Sequence, residues 1–564
     1  MVDRRPQLKG EAHLGIDGAL PPAAAALRVA TTTAGSADCI AVTLDIVAKW
    51  WERAVFYEIY VRSFADGDGD GIGDLQGVRD RLPYLAELGV DALWLTPFYR
   101  SPMADGGYDV ADPFAVDPLF GDLATFDALV HEAHALDLKV TIDVVPNHTS
   151  DRHRDFEAAL YDRPGSPARE RYMFRPGNAD GGPPNNWRSV FGGAAWTREL
   201  RHGEWYLHLF APEQPDLNWR NPAVGDEYER ILRFWLDRGV DGFRIDVAHG
   251  LVKDAALRDN PGTEREGAFG VGAEERFAYD QPEVHDIYRR WRGILDSYDS
   301  DRVATGEVWL RDAEALARYV RPDELDLAFN FRYLSAAWNA DAIRATIDTE
   351  FEVLPAGTPA TWVLSNHDVV RHRTRFGSLE RARAATLLML ALPGVCYLYT
   401  GEELGLPEAD VPVAAIQDPQ WFRSGGTHPS RDGARVPIPW SGDRPPYGFS
   451  PEGVATWLPQ PGDWAGLTAA AQDGRPESTL ELYRSALALR RSDPALAGDD
   501  FRWLPSPEGV LRLERTAGAA RLECWVNVTS DPVLLPAGDV LVRSSPAPEG
   551  GGLAPDGGVW LRPS

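Results

Sequence analysis

From residue 55 onward, two hydrophobic patterns take turns along the chain. Short runs of β-branched and aromatic residues, apolar at nearly every position, alternate with longer stretches whose apolar residues recur at helical spacing. The runs are 55–61 (VFYEIYV), 92–95 (ALWL), 140–145 (VTIDVV), 242–247 (GFRIDV), 303–308, 325–331, 362–364 and 395–399. The helical stretches include 78–88, 126–136 and 228–238. Near-continuous apolar strands need cover on both faces, so the alternation predicts a parallel sheet wrapped by helices. Eight such strands predict an α/β fold closed into a (β/α)8 barrel. An open, doubly wound sheet is the alternative. Acidic and polar residues just past several strand ends favour the barrel.

Two stretches break the rhythm. Residues 147–221 are rich in Pro, Gly, Asn and Trp and too long for a simple loop, which predicts a small domain inserted after the third strand. From about 496 the pattern turns to short runs, such as 511–513 and 522–526, separated by turn residues. That predicts a C-terminal β-domain over 496–564 and leaves 49–146 and 222–495 to the barrel. Residues 1–48 are rich in Ala, Thr, Gly and Pro with no sustained period, and are expected to be a disordered extension or the product of an upstream start codon.

Composition narrows the function. The formal net charge is −28, which disfavours nucleic acid and anionic membrane surfaces as partners. No run approaches the ~20 apolar residues of a membrane span. The apolar patch at 23–30 is short and interrupted by Arg28, a poor signal peptide. Three widely spaced cysteines, Cys39, Cys396 and Cys524, make neither a disulfide framework nor a zinc site, and fit a reducing cytoplasm. A neutral small substrate and a monomer or homodimer are expected.

The candidate chemistry lies at the strand ends. Asp246 follows GFRI, Glu307 stands in TGEVW and Asp368 in LSNHD. A single carboxylate there ordinarily caps a helix or pairs with Arg; three on one barrel point to a site. Glycoside hydrolysis needs a carboxylate nucleophile or base and a carboxylic acid. Arg244, two residues before Asp246 on the same strand face, is expected to hold Asp246 ionised as nucleophile. Glu307 is then the acid/base, and Asp368 orients sugar hydroxyls and helps Glu307 keep its proton. His148 and His367 flank the site and are expected to hydrogen-bond the sugar. A zinc centre is disfavoured, because there is no HExxH and no close Cys/His cluster.

DVVPNH (143–148), GFRIDV (242–247), GEVW around Glu307 and NHD (366–368) resemble, in order and spacing, four signature regions of the α-amylase superfamily, glycoside hydrolase family 13. GDLQGVRDRLPYLAELGVDALWLTPFYRSP and QPDLNW (214–219) are similar to its α-glucosidase and oligo-1,6-glucosidase branch. The resemblance implies a retaining, exo-acting α-glucosidase on short oligosaccharides. It also implies that Asp105 and Tyr108, in DGGYD, contact the non-reducing-end glucose. RVPIPW (435–440) resembles a segment whose Arg, here Arg435, pairs with that Asp. Val247, directly after the nucleophile, is linked to α-1,6 activity in the family, whereas Ala248, His249 and Gly250 depart from the oligo-1,6-glucosidase pattern. Linkage preference stays open between α-1,4 and α-1,6.

DGDGDGIGD places Asp66, Asp68, Asp70, the Ile72 carbonyl and Asp74 at EF-hand-like spacing, although the closing Glu of an EF-hand is replaced by Gly77. A solvated acidic turn is the alternative. The resemblance implies a structural Ca2+, with Mg2+ as its substitute, away from the chemistry. Two other functions remain in view. One is glucosyl transfer or isomerisation, as in sucrose isomerases, trehalose synthases and amylosucrases, which would use the same carboxylates. The other is a non-catalytic transporter subunit, disfavoured by the complete triad and the lack of a membrane helix.

Overall fold

The computed structural model describes residues 49–261 and 277–564. The expectation of a disordered 1–48 segment lies outside the described residues. Eight strands run parallel: β1 (Val55–Ile59), β2 (Ala92–Leu95), β3 (Lys139–Val144), β4 (Gly242–Ile245), β5 (Val303–Gly306), β6 (Leu327–Ala328), β7 (Thr361–Val363) and β8 (Val395–Tyr399). Their spatial order is β6-β5-β4-β3-β2-β1-β8-β7. Just past β6 the Asn330 N–H donates to the Thr361 carbonyl of β7, bringing the two ends of the row together into a nearly closed barrel.

Side-chain alternation sorts each strand into two cores. Inward-pointing Phe56, Ala92, Trp94, Val303, Leu327, Val363, Val395 and Tyr397 fill the barrel. Their neighbours Tyr57, Leu93, Val140, Phe243, Ala304, Trp362 and Cys396 pack outward against the helices. Both faces are therefore apolar, which is why the strands show as unbroken hydrophobic runs. Gly242 is needed at the barrel floor, because a Cβ there would sit 2.1 Å from the Val303 carbonyl oxygen.

Helices start where the capping chemistry allows. Asn221 accepts the Ala223 N–H and Pro222 opens helix Pro222–Leu236, which buries Val224, Tyr228, Ile231, Leu232 and Trp235. The stretch expected as one helix over 78–88 is two, Leu75–Asp80 and Leu82–Leu88. Pro83 lacks the N–H that would continue the ladder across Arg81.

Within residues 147–221 the chain forms helix Arg154–Tyr161 and a three-stranded antiparallel sheet of Phe174–Arg175, Trp205–Leu207 and Trp196–Arg198. Its core of Trp187, Phe191, Trp196, Leu209 and Phe210 also takes in Val247, the residue after Asp246. At the C-terminus, β9 (Phe501–Trp503), β10 (Val510–Ala517), β11 (Ala520–Asn527), β12 (Gly538–Arg543) and β13 (Gly558–Pro563) make an antiparallel sheet. Trp560 anchors it to helix Leu379–Ala391, donating its indole N–H to the Leu387 carbonyl at 3.0 Å. Among the described residues, no helix is long and apolar enough to cross a membrane.

Beyond β8 the chain buries two adjacent acids. Tyr57 and Tyr84 donate to Glu403 Oε1 at 2.9 Å each. Burial pushes the Glu402 carboxyl up to about 8, with Glu403 adding to the rise and Arg371 opposing it. A raised carboxyl favours the protonated folded state. Its contribution is therefore complete below the ordinary value of 4.5 and is lost as pH rises towards about 8. Thermal melts of Glu402→Gln should show a smaller drop in Tm between acid and mildly alkaline pH than the parent. An equal drop would show that Glu402 does not titrate there.

Candidate active site

Three carboxylates converge on one guanidinium at the C-terminal end of the barrel. Strand register sets Asp143 of β3 beside Arg244 of β4, and Arg244 beside Thr305 of β5. Arg244 Nη1 donates to Asp143 Oδ1 and to Asp246 Oδ1, each at 2.7 Å. Its Nη2 lies 2.9 Å from Glu307 Oε2. Trp94 and Tyr108 donate to the other oxygen of Asp143, each at 3.0 Å.

One positive charge is shared among three buried carboxylates, so it offsets their desolvation and mutual repulsion only in part. Burial pushes Asp143 up to about 6 against the pull of Arg244. Burial also drives Asp246 well above the ordinary carboxylate range; Arg244 opposes this, while Glu307, Asp143 and Asp368 reinforce it. Arg244 thus touches Asp246 as expected, but it is shared and does not outweigh burial.

The backbone after Asp246 is also constrained. Val247 has φ +46°, an outlier for a β-branched residue, and donates its N–H to Glu307 Oε2 at 2.9 Å. A buried ammonium braces this loop. Lys253 Nζ lies 2.6 Å from Asn147 Oδ1, 2.7 Å from the Gly250 carbonyl and 2.7 Å from Asp216 Oδ2. It joins the end of β3, the inserted segment and the loop after Asp246.

Asp368 faces two arginines. Its Oδ1 accepts Arg431 Nη1 at 2.9 Å and Arg435 Nη2 at 2.8 Å. Burial pushes its carboxyl upward, but His367, Arg431 and Arg435 together hold it well below the usual range. His367 is stacked between Tyr60 and Tyr108, at 5.5 and 5.2 Å, with Nδ1 2.5 Å from Glu58 Oε1. Burial holds its imidazole well below the ordinary value.

Asp105 differs from expectation in its partner. Arg435 does not pair with it. The Arg435 side chain, at the end of the short helix Asp432–Arg435, turns to Asp368 and the His367 carbonyl. Arg431, four residues earlier, donates to Asp105 Oδ1 at 2.8 Å and is itself held by Asp418 at 2.7 Å. Gln214 Nε2 lies 3.1 Å from Asp105 Oδ2 and 3.1 Å from His148 Nε2. Burial drives His148 down to about 4, so its imidazole is neutral. Lysine offers one point charge where Arg431 spans Asp105, Asp368 and Asp418. Arg431→Lys should therefore raise KM for a disaccharide about tenfold or more, the cost of leaving a buried carboxylate unpaired. Steady-state kinetics with an unchanged KM would remove Arg431 from the pocket.

The acidic loop converges only in part. Ligand oxygens of Asp66, Asp68 and Asp74 all lie within 4.8 Å of one another. Asp70, at the exposed loop tip, stands outside that group, and its Oδ1 accepts the Ile72 N–H at 2.8 Å. Asp74 also caps helix Leu75–Asp80 through Gly77. Three convergent carboxylates suit one hard divalent cation.

Residues 58–499 match the family model described as "Alpha amylase, catalytic domain". The chain belongs to the alpha-amylase family. The "Probable alpha-glucosidase" of Rhizobium meliloti (strain 1021) is 38% identical over 499 residues, covering 86% of this chain and 90% of that protein. The oligo-1,6-glucosidase of Heyndrickxia coagulans is 33% identical over 487 residues, covering 79% and 86%. Among solved structures, the alpha-glucosyl transfer enzyme XgtA superposes with a TM-score of 0.83 at 39% identity, covering 92% of this chain and 100% of that one. The isomaltulose synthase of Klebsiella sp. LX3 superposes with a TM-score of 0.83 at 30% identity, over the same 92% and 100%. In this alpha-amylase family member, Asp143, Glu58, Gln214, Asp418, Arg431 and Lys253 join the residues singled out from the sequence. Asp143 and Gln214 open DVVPNH and QPDLNW, two of the motifs that carry the resemblance, and Arg431 lies four residues from Arg435.

Proposed function

We propose that the protein is a retaining, exo-acting α-glucosidase that releases glucose from short α-linked oligosaccharides. The observation that carries this reading is the Arg244 guanidinium bridging Asp246 and Glu307, with Asp368 beside them. Asp246 attacks the anomeric carbon as Glu307 gives its proton to the departing glycosidic oxygen. A covalent glucosyl ester forms on Asp246. Glu307 then takes a proton from water, whose oxygen displaces Asp246 and restores the starting anomer. Asp368, kept ionised by Arg431 and Arg435, accepts sugar hydroxyls.

The Asp105–Arg431 pair supports exo action: a buried ion pair tied through Gln214 to His148 would leave no room for sugars beyond the non-reducing-end glucose. The relatives named alpha-glucosidase, maltase and oligo-1,6-glucosidase support the substrate class. Glucosyl transfer is the second reading, favoured by the likeness to a glucosyl transfer enzyme. Product analysis with maltose, isomaltose, sucrose and trehalose separates the two. Two glucose per molecule of maltose or isomaltose consumed, with no new sugar, supports hydrolysis, and isomers or longer sugars as main products support transfer.

The reading includes a structural Ca2+ held by Asp66, Asp68 and Asp74, where it would tie the loop after β1 to the helix that follows. Chelation should lower Tm and leave the activity of still-folded enzyme intact. An unchanged Tm after verified metal removal would discard the ion.

A further inference from the structure

Glu58 lies on β1, two residues after inward-pointing Phe56, and is fully buried inside the barrel. Its Oε1 is 2.5 Å from His367 Nδ1. Two lone pairs do not face each other at that distance, so one proton stands between the two atoms. The other ring nitrogen, His367 Nε2, is buried 3.3 Å from Asp368 Oδ2 and makes no hydrogen bond among the described residues. Arg431 and Arg435 both bind the opposite oxygen of Asp368, Oδ1.

Three proton arrangements fit one carboxyl and one imidazole here. In the first, Glu58 is ionised and the neutral ring carries its proton on Nδ1. Nε2 is then a bare lone pair, buried against an ionised carboxylate, and the two repel. In the second, protonated Glu58 donates to a ring that carries its proton on Nε2. In the third, ionised Glu58 accepts from an imidazolium. The last two each put a proton on Nε2, hold one proton more than the first and leave the pair with no net charge. Burial pushes the Glu58 carboxyl well up, with Arg244 opposing and Asp368 and Asp143 adding to the rise. Burial also holds the imidazole low. Both directions favour an acid that keeps its proton.

We infer that Glu58 is a positioning residue that brings an extra proton into the pocket: it holds that proton against His367 Nδ1 and so makes Nε2 a hydrogen-bond donor to a sugar hydroxyl beside Asp368. The pair adds no positive charge where an oxocarbenium-like sugar forms. This rests on the reading that the pocket takes a glucose unit. Losing the proton to alkaline solvent leaves Nδ1–H on Glu58 and turns Nε2 from a donor into a bare acceptor. The charged groups facing the pair are Asp143 on β3, Arg244 on β4, Asp368 after β7, and Arg431 and Arg435 after β8. The other titratable neighbours are Tyr397 and Tyr399 on β8, and Tyr60 and Tyr108 stacked on the ring.

Glu58→Gln puts in an amide of the same shape, whose N–H can donate to Nδ1 and which does not titrate. In the wild type the inhibition constant of glucose should rise about tenfold across an alkaline limb, the scale of one lost hydrogen bond. In Glu58→Gln that limb should be gone. In enzyme labelled with 15N-histidine, the His367 Nε2 signal, assigned by its loss in His367→Asn, should be proton-bearing at neutral pH and bare above the limb. In Glu58→Gln it should stay proton-bearing throughout. The same pH profile in both enzymes, or a bare Nε2 in the wild type at neutral pH, would overturn the inference and leave the pocket reading standing. If glucose binds the wild type at no pH, the pocket reading falls, and the inference with it. The neutral-pH spectrum of the wild type needs no variant to fold beyond the one that assigns it, and a bare Nε2 there is decisive by itself.

Discussion

Asp246→Asn lowers turnover of every α-glucoside by about 10⁴-fold or more, the scale of losing one member of a covalent-catalysis unit. The amide cannot form the glucosyl ester, so neither an activated leaving group nor added azide restores the retaining reaction. The same change should raise stability. Arg244 serves three carboxylates at once, and burial with the neighbouring acids drives Asp246 upward. Removing one negative charge relieves that repulsion, and Tm at neutral pH should rise by an amount worth about 1 kcal/mol. Calorimetry and kinetics on one preparation check both effects. Lost activity with lowered Tm would mean that Asp246 holds the fold together, and that the loss says little about chemistry.

Glu307→Gln is expected to divide substrates by leaving group. Natural disaccharides, whose departing oxygen needs a proton, should lose about 10²- to 10⁴-fold. An activated aryl glucoside or α-glucosyl fluoride needs little protonation and should still glucosylate Asp246. The second step then stalls, because no base activates water, and the glucosyl-enzyme accumulates. Azide needs no base and should restore turnover as α-glucosyl azide. Asp368→Asn should slow both steps without azide rescue, since its contacts with Arg431 and Arg435 position and polarise and transfer no proton. A β-glucosyl azide, or equal losses on all leaving groups, would contradict the acid/base role of Glu307.

The barrel was legible because its strands are buried on both faces and its acids stand at strand ends, signals carried within a few residues. What the sequence hid was set by distance and by sharing. Asp105 and Arg431 are 326 positions apart, and no local pattern says which of two arginines four residues apart will turn towards Asp105. Asp143 sits inside an apolar strand, and only the neighbouring strand shows it to be a partner of Arg244. In the repeating acid–glycine loop Asp70 looks equivalent to Asp66 and Asp68, but it stands at the exposed loop tip, outside the group those two form with Asp74. Arg244 was expected to serve one carboxylate and serves three. Lys253, a polar residue in an unremarkable loop, acquires its role from oxygens contributed by Asn147, Gly250 and Asp216.

The central claim, a covalent glucosyl ester on Asp246 formed with the help of Glu307, is tested most directly by trapping. Glu307→Gln mixed with α-glucosyl fluoride and quenched in acid should gain one glucosyl group per chain, and peptide mass spectrometry should place it on the peptide containing Asp246, at that side chain. The same treatment of the Asp246→Asn, Glu307→Gln double variant should leave the mass unchanged. A glucosyl group on another residue, or fluoride released with inversion and no adduct at any time, would contradict the account.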